Sequence, residues 1–398
     1  MHSKIRFLIL LLCVACRHDT EVFLPEVEKV AEGEVLVDSA SQAASNTFLP
    51  VYERVEGFYL LNEGNMGSNK STLDYYDFSA GQYIRNIYGN ANPHVPKELG
   101  DVGNDLAIYG GRLYAVINCS NKIEVMNSQT AERIGQVDIP NCRYIRFSGR
   151  YAYVTSYAGP VVISDEYKQR GYVARIDTAT LQVVDTCVVG FQPDGLEIAD
   201  GKIYVANSGG YRVNNYEHTL SVVDLQSFRE LRRIPVSPNL HHVRLDNHGQ
   251  LWVSSRGDYF AVPAKLYCVA VLTEEVTDSV DVAVSDFWLD GDSLYFYGTA
   301  WSYVSMDDEI TYGIINVKTH QIVSRGFITD GTVIKKPYGI AVNPLTKDIY
   351  VTDAKNYVNP GTLYCFDPAG KKKWSVRTGD IPAHIVFRGI PKKNNRYH

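Results

Sequence analysis

The chain has 398 residues, of which 45% are hydrophobic and 21% charged, with 28 tyrosines, so it carries enough apolar material to bury a sizeable core. Its net charge is −6, and its basic residues gather only in short runs such as Lys335-Lys336, Lys371 to Lys373 and Lys392-Lys393. That excludes nucleic acid as an expected partner, because phosphate binding needs an extended basic footprint.

Residues 1–15 read as a secretory signal peptide: Lys4 and Arg6 precede an apolar stretch from Phe7 to Val14 and a small residue, Ala15. The stretch is too short to span a bilayer, and no later one reaches the roughly 18 apolar residues of a transmembrane helix. The junction Cys13-Val14-Ala15-Cys16 resembles a bacterial lipobox, which makes Cys16 the expected lipidation site and the membrane a partner through a lipid anchor. From there to residue 50 the chain is acidic and without sustained periodicity. It reads as a solvated tether that would average about 30 Å as a coil, with GEVLVD (33–38) as a candidate extra strand.

Length alone would suggest two or three domains, but a repeat runs through residues 51–398 and makes them one. Each unit is a short apolar strand, a glycine turn, an aromatic-bearing strand of the type L-Y-V, a variable loop, a strand ending near Asp and a Thr-rich turn. The clearest copy spans residues 104–140, NDLAIYGGRLYAVINCSNKIEVMNSQTAERIGQVDIP. The second-strand aromatics Tyr59, Tyr114, Tyr153, Tyr204, Trp252, Tyr295 and Tyr350 mark seven such units, which predicts an all-β fold, a seven-bladed β-propeller. Strands are expected to alternate buried and exposed residues, tight hairpins fall at Gly110-Gly111, Asp200-Gly201 and Asp290-Gly291, and helical periodicity is absent. The first unit starts at its second strand, FYLLNEG (58–64), whereas the C-terminus holds an orphan first strand, PAHIVF (382–387). Pairing these two closes the ring in the first blade and removes its exposed edges.

This arrangement resembles the YncE-like propellers over roughly residues 55–390, and LLNEGNMGSNKSTLDYYD (60–77) is similar to the opening blade of their lipid-anchored members from Bacteroidetes. Among those are the surface proteins of the corrinoid-capturing (BtuG-type) branch. The resemblance therefore implies an outer-membrane, cell-surface lipoprotein that takes up vitamin B12 or a related corrinoid and passes it to an outer-membrane transporter.

In such a meander the loops after the second strands share a face with the lead-in to the first strands, and the long segments all fall there. They are rich in Tyr, Trp, Asn and Gly, which suits a broad ligand with flat apolar faces and amide edges. The candidate ligand-binding residues are Asn65, Tyr157, Tyr211, Arg256, Tyr259, Trp301, Tyr303 and Tyr357, with Tyr167, Tyr216 and Phe260 in the same loops. Some of these rings would simply pack their own loops.

A second constellation gathers at the strand ends near the axis: Asn62, Asn104, Asp105, Asn118, Asp194, Asn207, His241, Asp286, Asp353 and His384. It could form a metal or acid/base site, as in lactonase-like propellers, but the same positions must satisfy strand-end backbone groups or hold channel water, and that structural role is the preferred reading. His241 and His242 are adjacent on a strand, which predicts one side chain in the channel and one in the blade. Cys119 and Cys142 fall at the same end of neighbouring blades and form a candidate disulfide; none of the cysteines has metal-ligand spacing. With no nucleophile elbow, H-E-x-x-H or phosphate loop in the chain, no cofactor, no metal and no catalysis are expected. A glycan- or protein-binding scaffold and a metal-dependent lactonase or lyase stand as the alternatives to ligand capture.

Overall fold

The computed structural model describes residues 26–38, 52–166, 168–302 and 307–392. The expected signal peptide and lipidation site Cys16 lie outside these residues, as do Tyr167 and Tyr303. Seven antiparallel meanders follow one another and form a seven-bladed β-propeller. In blade two the strands are Gly103–Tyr109, Arg112–Ile117, Lys122–Asn127 and Arg133–Asp138. Blades three to seven begin at Cys142–Ser148, Pro193–Ala199, Leu240–Leu245, Asp286–Asp290 and Pro337–Val342.

The hairpins are set by local chemistry. Asp200 and Gly201 sit at φ 48° and 69°, the left-handed pair that a two-residue turn needs to match the twist of its strands. The ring closes as the sequence predicts: Pro382–Pro391 pairs antiparallel with Tyr52–Asn62, from Tyr52 opposite Pro391 to Asn62 opposite Pro382. This closing strand packs between the first strands of blades two and seven.

The alternation expected along each strand does not hold in the inner strands. Leu113, Tyr114, Ala115, Val116 and Ile117 are all buried, because both faces of a blade are covered by its neighbours. Exposed residues dominate only in outer strands such as Gln182–Val188. Of the seven aromatic markers, all but Tyr295 are buried in the seams between blades.

A second-strand hydroxyl joins blade to blade. Thr352 Oγ1 accepts from the Gly339 N–H at 2.7 Å and donates to the Pro382 carbonyl of the closing strand at 2.6 Å. Thr155 repeats this between blades three and four, accepting from the Tyr144 N–H and donating to the Asp194 carbonyl. Gly339 is glycine for a steric reason, since a Cβ there would sit 1.9 Å from the Ala383 carbonyl oxygen.

Three expectations are corrected. Part of the presumed tether is structured: Val27–Lys29 adds a fifth strand outside Gln82–Ile84, and Leu36–Val37, within the candidate strand GEVLVD, pairs with Tyr52–Asn62. Arg85 holds this segment through Glu26 and Glu28, and Leu36 enters the core beside Val55 and Phe78. A short helix, Ile87–Ala91, opens the segment leading to blade two, started by Asn86, whose side chain accepts from the Gly89 N–H. Cys119 and Cys142 are free thiols: Cys142 points into the seam, 3.3 Å from the Lys122 carbonyl, while Cys119 faces the axis.

Candidate functional site

The loops after the second strands and the turns before the first strands meet around the axis on one face and enclose an open cavity of about 990 Å³ to which all seven blades contribute. Five of the seven turns into first strands share one conformation. Val102, Asn141, Gln192, Asn239 and Ile381 all have positive φ immediately before their strands, and a bulge follows in the next residues. The bulges aim side chains at the axis that a regular strand would turn away.

His241 and His242 show the consequence. The register slips between Leu240 and Val243, so both imidazoles line the cavity, with ring centroids 3.7 Å apart, and the expected split between channel and blade does not occur. Tyr144 Oη lies 2.9 Å from His241 Nε2. Both histidines are held well below the ordinary histidine range, first by burial, then by Arg256 for His241 and by the neighbouring His241 for His242.

The remaining axial groups pair with one another. Asp194, 1% exposed, accepts from Arg143 Nε and Arg256 Nη1, each at 3.2 Å, and from Tyr157 Oη at 2.6 Å. Arg143 lies over the Tyr157 ring at 4.8 Å. Asp105 accepts from the Ile145 N–H and from Arg146, and Asp286 accepts from Arg244 Nη2 at 3.0 Å. Glu63 takes His384 Nε2 at 3.2 Å and the Tyr338 hydroxyl at 2.9 Å; burial opposes protonation of His384, but Glu63, with Asp105 and Asp286, outweighs it and raises the imidazole above its ordinary value. Asn62, Asn207 and Asp353 serve their own blades. The first two donate to Thr72 and Thr219, and Asp353 accepts from the backbone of Lys335, Lys336 and Lys355. Asn104 and Asn118 line the cavity and donate to the Arg143 carbonyl and to Asn141 Oδ1. Among the described residues no three His, Cys, Asp or Glu side chains are grouped as metal ligands.

Of the residues singled out from sequence, Asn65, Tyr211, Arg256, Tyr259 and Tyr357 are brought together on the cavity wall. Tyr157 is not: it is 2% exposed and braces Arg143 and Asp194 from behind, with its ring 6.2 Å from Tyr211. Trp301 lies on the strand Ser293–Ser302, opposite Asp308. Tyr216 supports the rim through an edge contact with Tyr259 at 6.0 Å. The sequence reading missed Tyr297 and Tyr338, which supply aromatic wall, and Arg143, which supplies charge.

The loop feet are anchored separately. The hydroxyls of Ser156, Ser208 and Ser255 accept from the N–H two residues on, at Ala158, Gly210 and Gly257. Asp258 closes its loop by accepting from the Phe260 and Val262 N–H groups, and Asn356 does the same for Val358 and Asn359. The tips then project outward, with Phe260 81% and Tyr259 63% exposed.

Compared with known proteins, the sequence matches a family model described as a domain of unknown function, DUF5074, over residues 56–388. No curated protein matches it. Among solved structures, the fold is similar to a functionally unknown protein from Desulfotomaculum acetoxidans (TM-score 0.58, 9% identity, 84% of this chain and 99% of that one). It is also similar to a quinonprotein alcohol dehydrogenase-like protein from Bacteroides thetaiotaomicron (0.55, 14%, 84% and 78%) and to hydrazine synthase from Kuenenia stuttgartiensis (0.54, 15%, 67% and 76%). At these identities the likeness is one of fold.

Proposed function

The chain belongs to the DUF5074 family, and we propose that its members of this build are binding proteins, here a surface lipoprotein that captures a corrinoid such as vitamin B12 for an outer-membrane transporter. The observation that carries the reading is the axial cavity itself. At about 990 Å³ it stands at the upper end of the roughly 300–1,000 Å³ typical of small-molecule sites, and it is open on one side, which suits a ligand larger than an ordinary metabolite. Its wall alternates rings (Tyr211, Tyr259, Phe260, Tyr338, Tyr357) with amide and imidazole groups (Asn65, Asn104, Asn118, His241). A macrocycle with amide arms has the complementary chemistry: a flat apolar face to lie on the rings and polar edges to bond the amides. Capture is favoured over catalysis because Asp194, Asp286 and Glu63, the carboxylates that face or underlie the cavity, each already hold an arginine or histidine.

Anchorage and export are supported by the lipobox-like Cys13 to Cys16 and the charged-then-apolar segment before it. Purified protein mixed with cobalamin and passed through size exclusion tests the ligand directly. Pigment eluting with the protein at micromolar concentration is the expected result, and a colourless protein peak would remove the corrinoid. Saturable binding of an oligosaccharide in its place would turn the same wall into a glycan site.

A further inference from the structure

The charges around the cavity are not evenly matched. On one side Glu63 is taken by His384 and Tyr338, and Asp286 by Arg244. On the other, two guanidiniums, Arg143 and Arg256, share a single carboxylate, Asp194, which lies buried behind them. Among the described residues Asp194 is the one carboxylate that either arginine pairs with, and each gives it one N–H. A guanidinium carries five N–H groups, so most of those on these two arginines have no acceptor among the described residues, and the Arg143–Asp194–Arg256 group holds one positive charge in excess. Both arginines line the cavity, and both are held from behind: Arg143 by the Tyr157 ring and Arg256 by Asp194. The neighbouring His241 feels the same surplus, since Arg256 and Arg143 act with burial to keep it neutral.

We propose that Arg143 and Arg256 form an anion subsite in this cavity, which takes a phosphate or carboxylate group. Two guanidiniums on one cavity wall, both bonded to the same buried carboxylate, offer several N–H donors and a net positive charge, the chemistry with which a tetrahedral or planar oxyanion forms charge-assisted hydrogen bonds. The subsite rests on the cavity being a ligand site, though not on the ligand being a corrinoid. The oxyanion is either free or part of a larger ligand, as in the phosphodiester of cobalamin, and the two sources are separable.

The test uses the whole protein and two kinds of probe. Inorganic phosphate, titrated against chloride at matched ionic strength, should raise the Tm of the wild type progressively, and most of that shift should be lost in Arg256→Gln. Calorimetric titration of the wild type with pyrophosphate gives the same answer without a variant: saturable one-site heat supports the subsite, and heat no larger than dilution overturns it. If the group is part of a corrinoid, Arg256→Gln weakens cobalamin binding about tenfold but leaves cobinamide, which lacks the phosphodiester, unchanged. Phosphate response without cobalamin binding keeps the subsite and ends the corrinoid reading. Cobalamin binding equal in wild type and Arg256→Gln, with no phosphate response, does the reverse.

Discussion

Replacing Thr352 by valine removes a single hydroxyl from the seam between blade seven and the closing strand while keeping the side chain's shape. That hydroxyl is buried and makes two hydrogen bonds, one from the Gly339 N–H and one to the Pro382 carbonyl. Both partners sit where water has no access, Gly339 pressed against Ala383 and Pro382 at the start of the last strand. Each net hydrogen bond is worth about 1 kcal/mol, and each buried group left unpaired costs about 1–3 kcal/mol, so the substitution should destabilise the ring by about 2–4 kcal/mol. Thr352→Ser keeps both bonds and loses one methyl group, for about 1 kcal/mol. Urea unfolding followed by tryptophan fluorescence measures both, since Trp374 lies in the same blade. Thr155→Val, with the same chemistry away from the closure, should lose a similar amount. If Thr352→Val unfolds within about 0.5 kcal/mol of wild type, or if the serine variant is as weak as the valine, the hydroxyl is not what joins the blades.

Asp194→Asn leaves two guanidiniums facing a neutral amide and should cost about 3 kcal/mol in the same assay, with Tyr157 losing its charged acceptor. Stability should fall as pH drops below about 6.5, by about 1.4 kcal/mol per unit for each of His241 and His242, because unfolding frees them to take up protons that the folded site resists. His384 has the opposite sign: its contribution is complete below about 6.5 and is lost as pH rises through its raised folded value, so His384→Gln should flatten the alkaline side of the profile. Tyr259→Ala and Phe260→Ala, at exposed tips, should leave the urea midpoint within about 0.5 kcal/mol of wild type yet weaken ligand capture about tenfold. Burial pushes the Cys142 thiol up to about 12, so it should resist alkylation until the protein unfolds, and added reductant should leave the Tm unchanged.

The blades were legible because they rest on local signals: Asp200-Gly201 dictates its turn, and Tyr114 or Trp252 marks a strand that must be buried. The closure was legible because PAHIVF had no partner of its own. What escaped depends on a change of register or on distant contacts. His241 and His242 face one cavity through a bulge that leaves no mark in residue type, although the residue before it, Asn239, takes a left-handed conformation that asparagine favours. Asp194 stands out in the sequence among the axial groups, but its partner Arg143, 51 residues away, does not, because only the assembled blades bring the two together. Tyr157 looked like a loop-tip ring and proved to be a buried brace. The strand at Leu36–Val37 falls within the candidate GEVLVD, whereas Val27–Lys29 reads as tether and is held by the distant Arg85 through Glu26 and Glu28.

The serine, aspartate and asparagine acceptors at the loop feet of blades three, four, five and seven hold those four segments of the cavity wall by bonds within each segment's own blade. A change at an outward tip such as Phe260 therefore need not disturb the seams between blades. If the cavity is a ligand site, as proposed, its preference should be modular. It can be rewritten one loop at a time, by selection or by design, while the arginine pair and the closed ring beneath stay as they are.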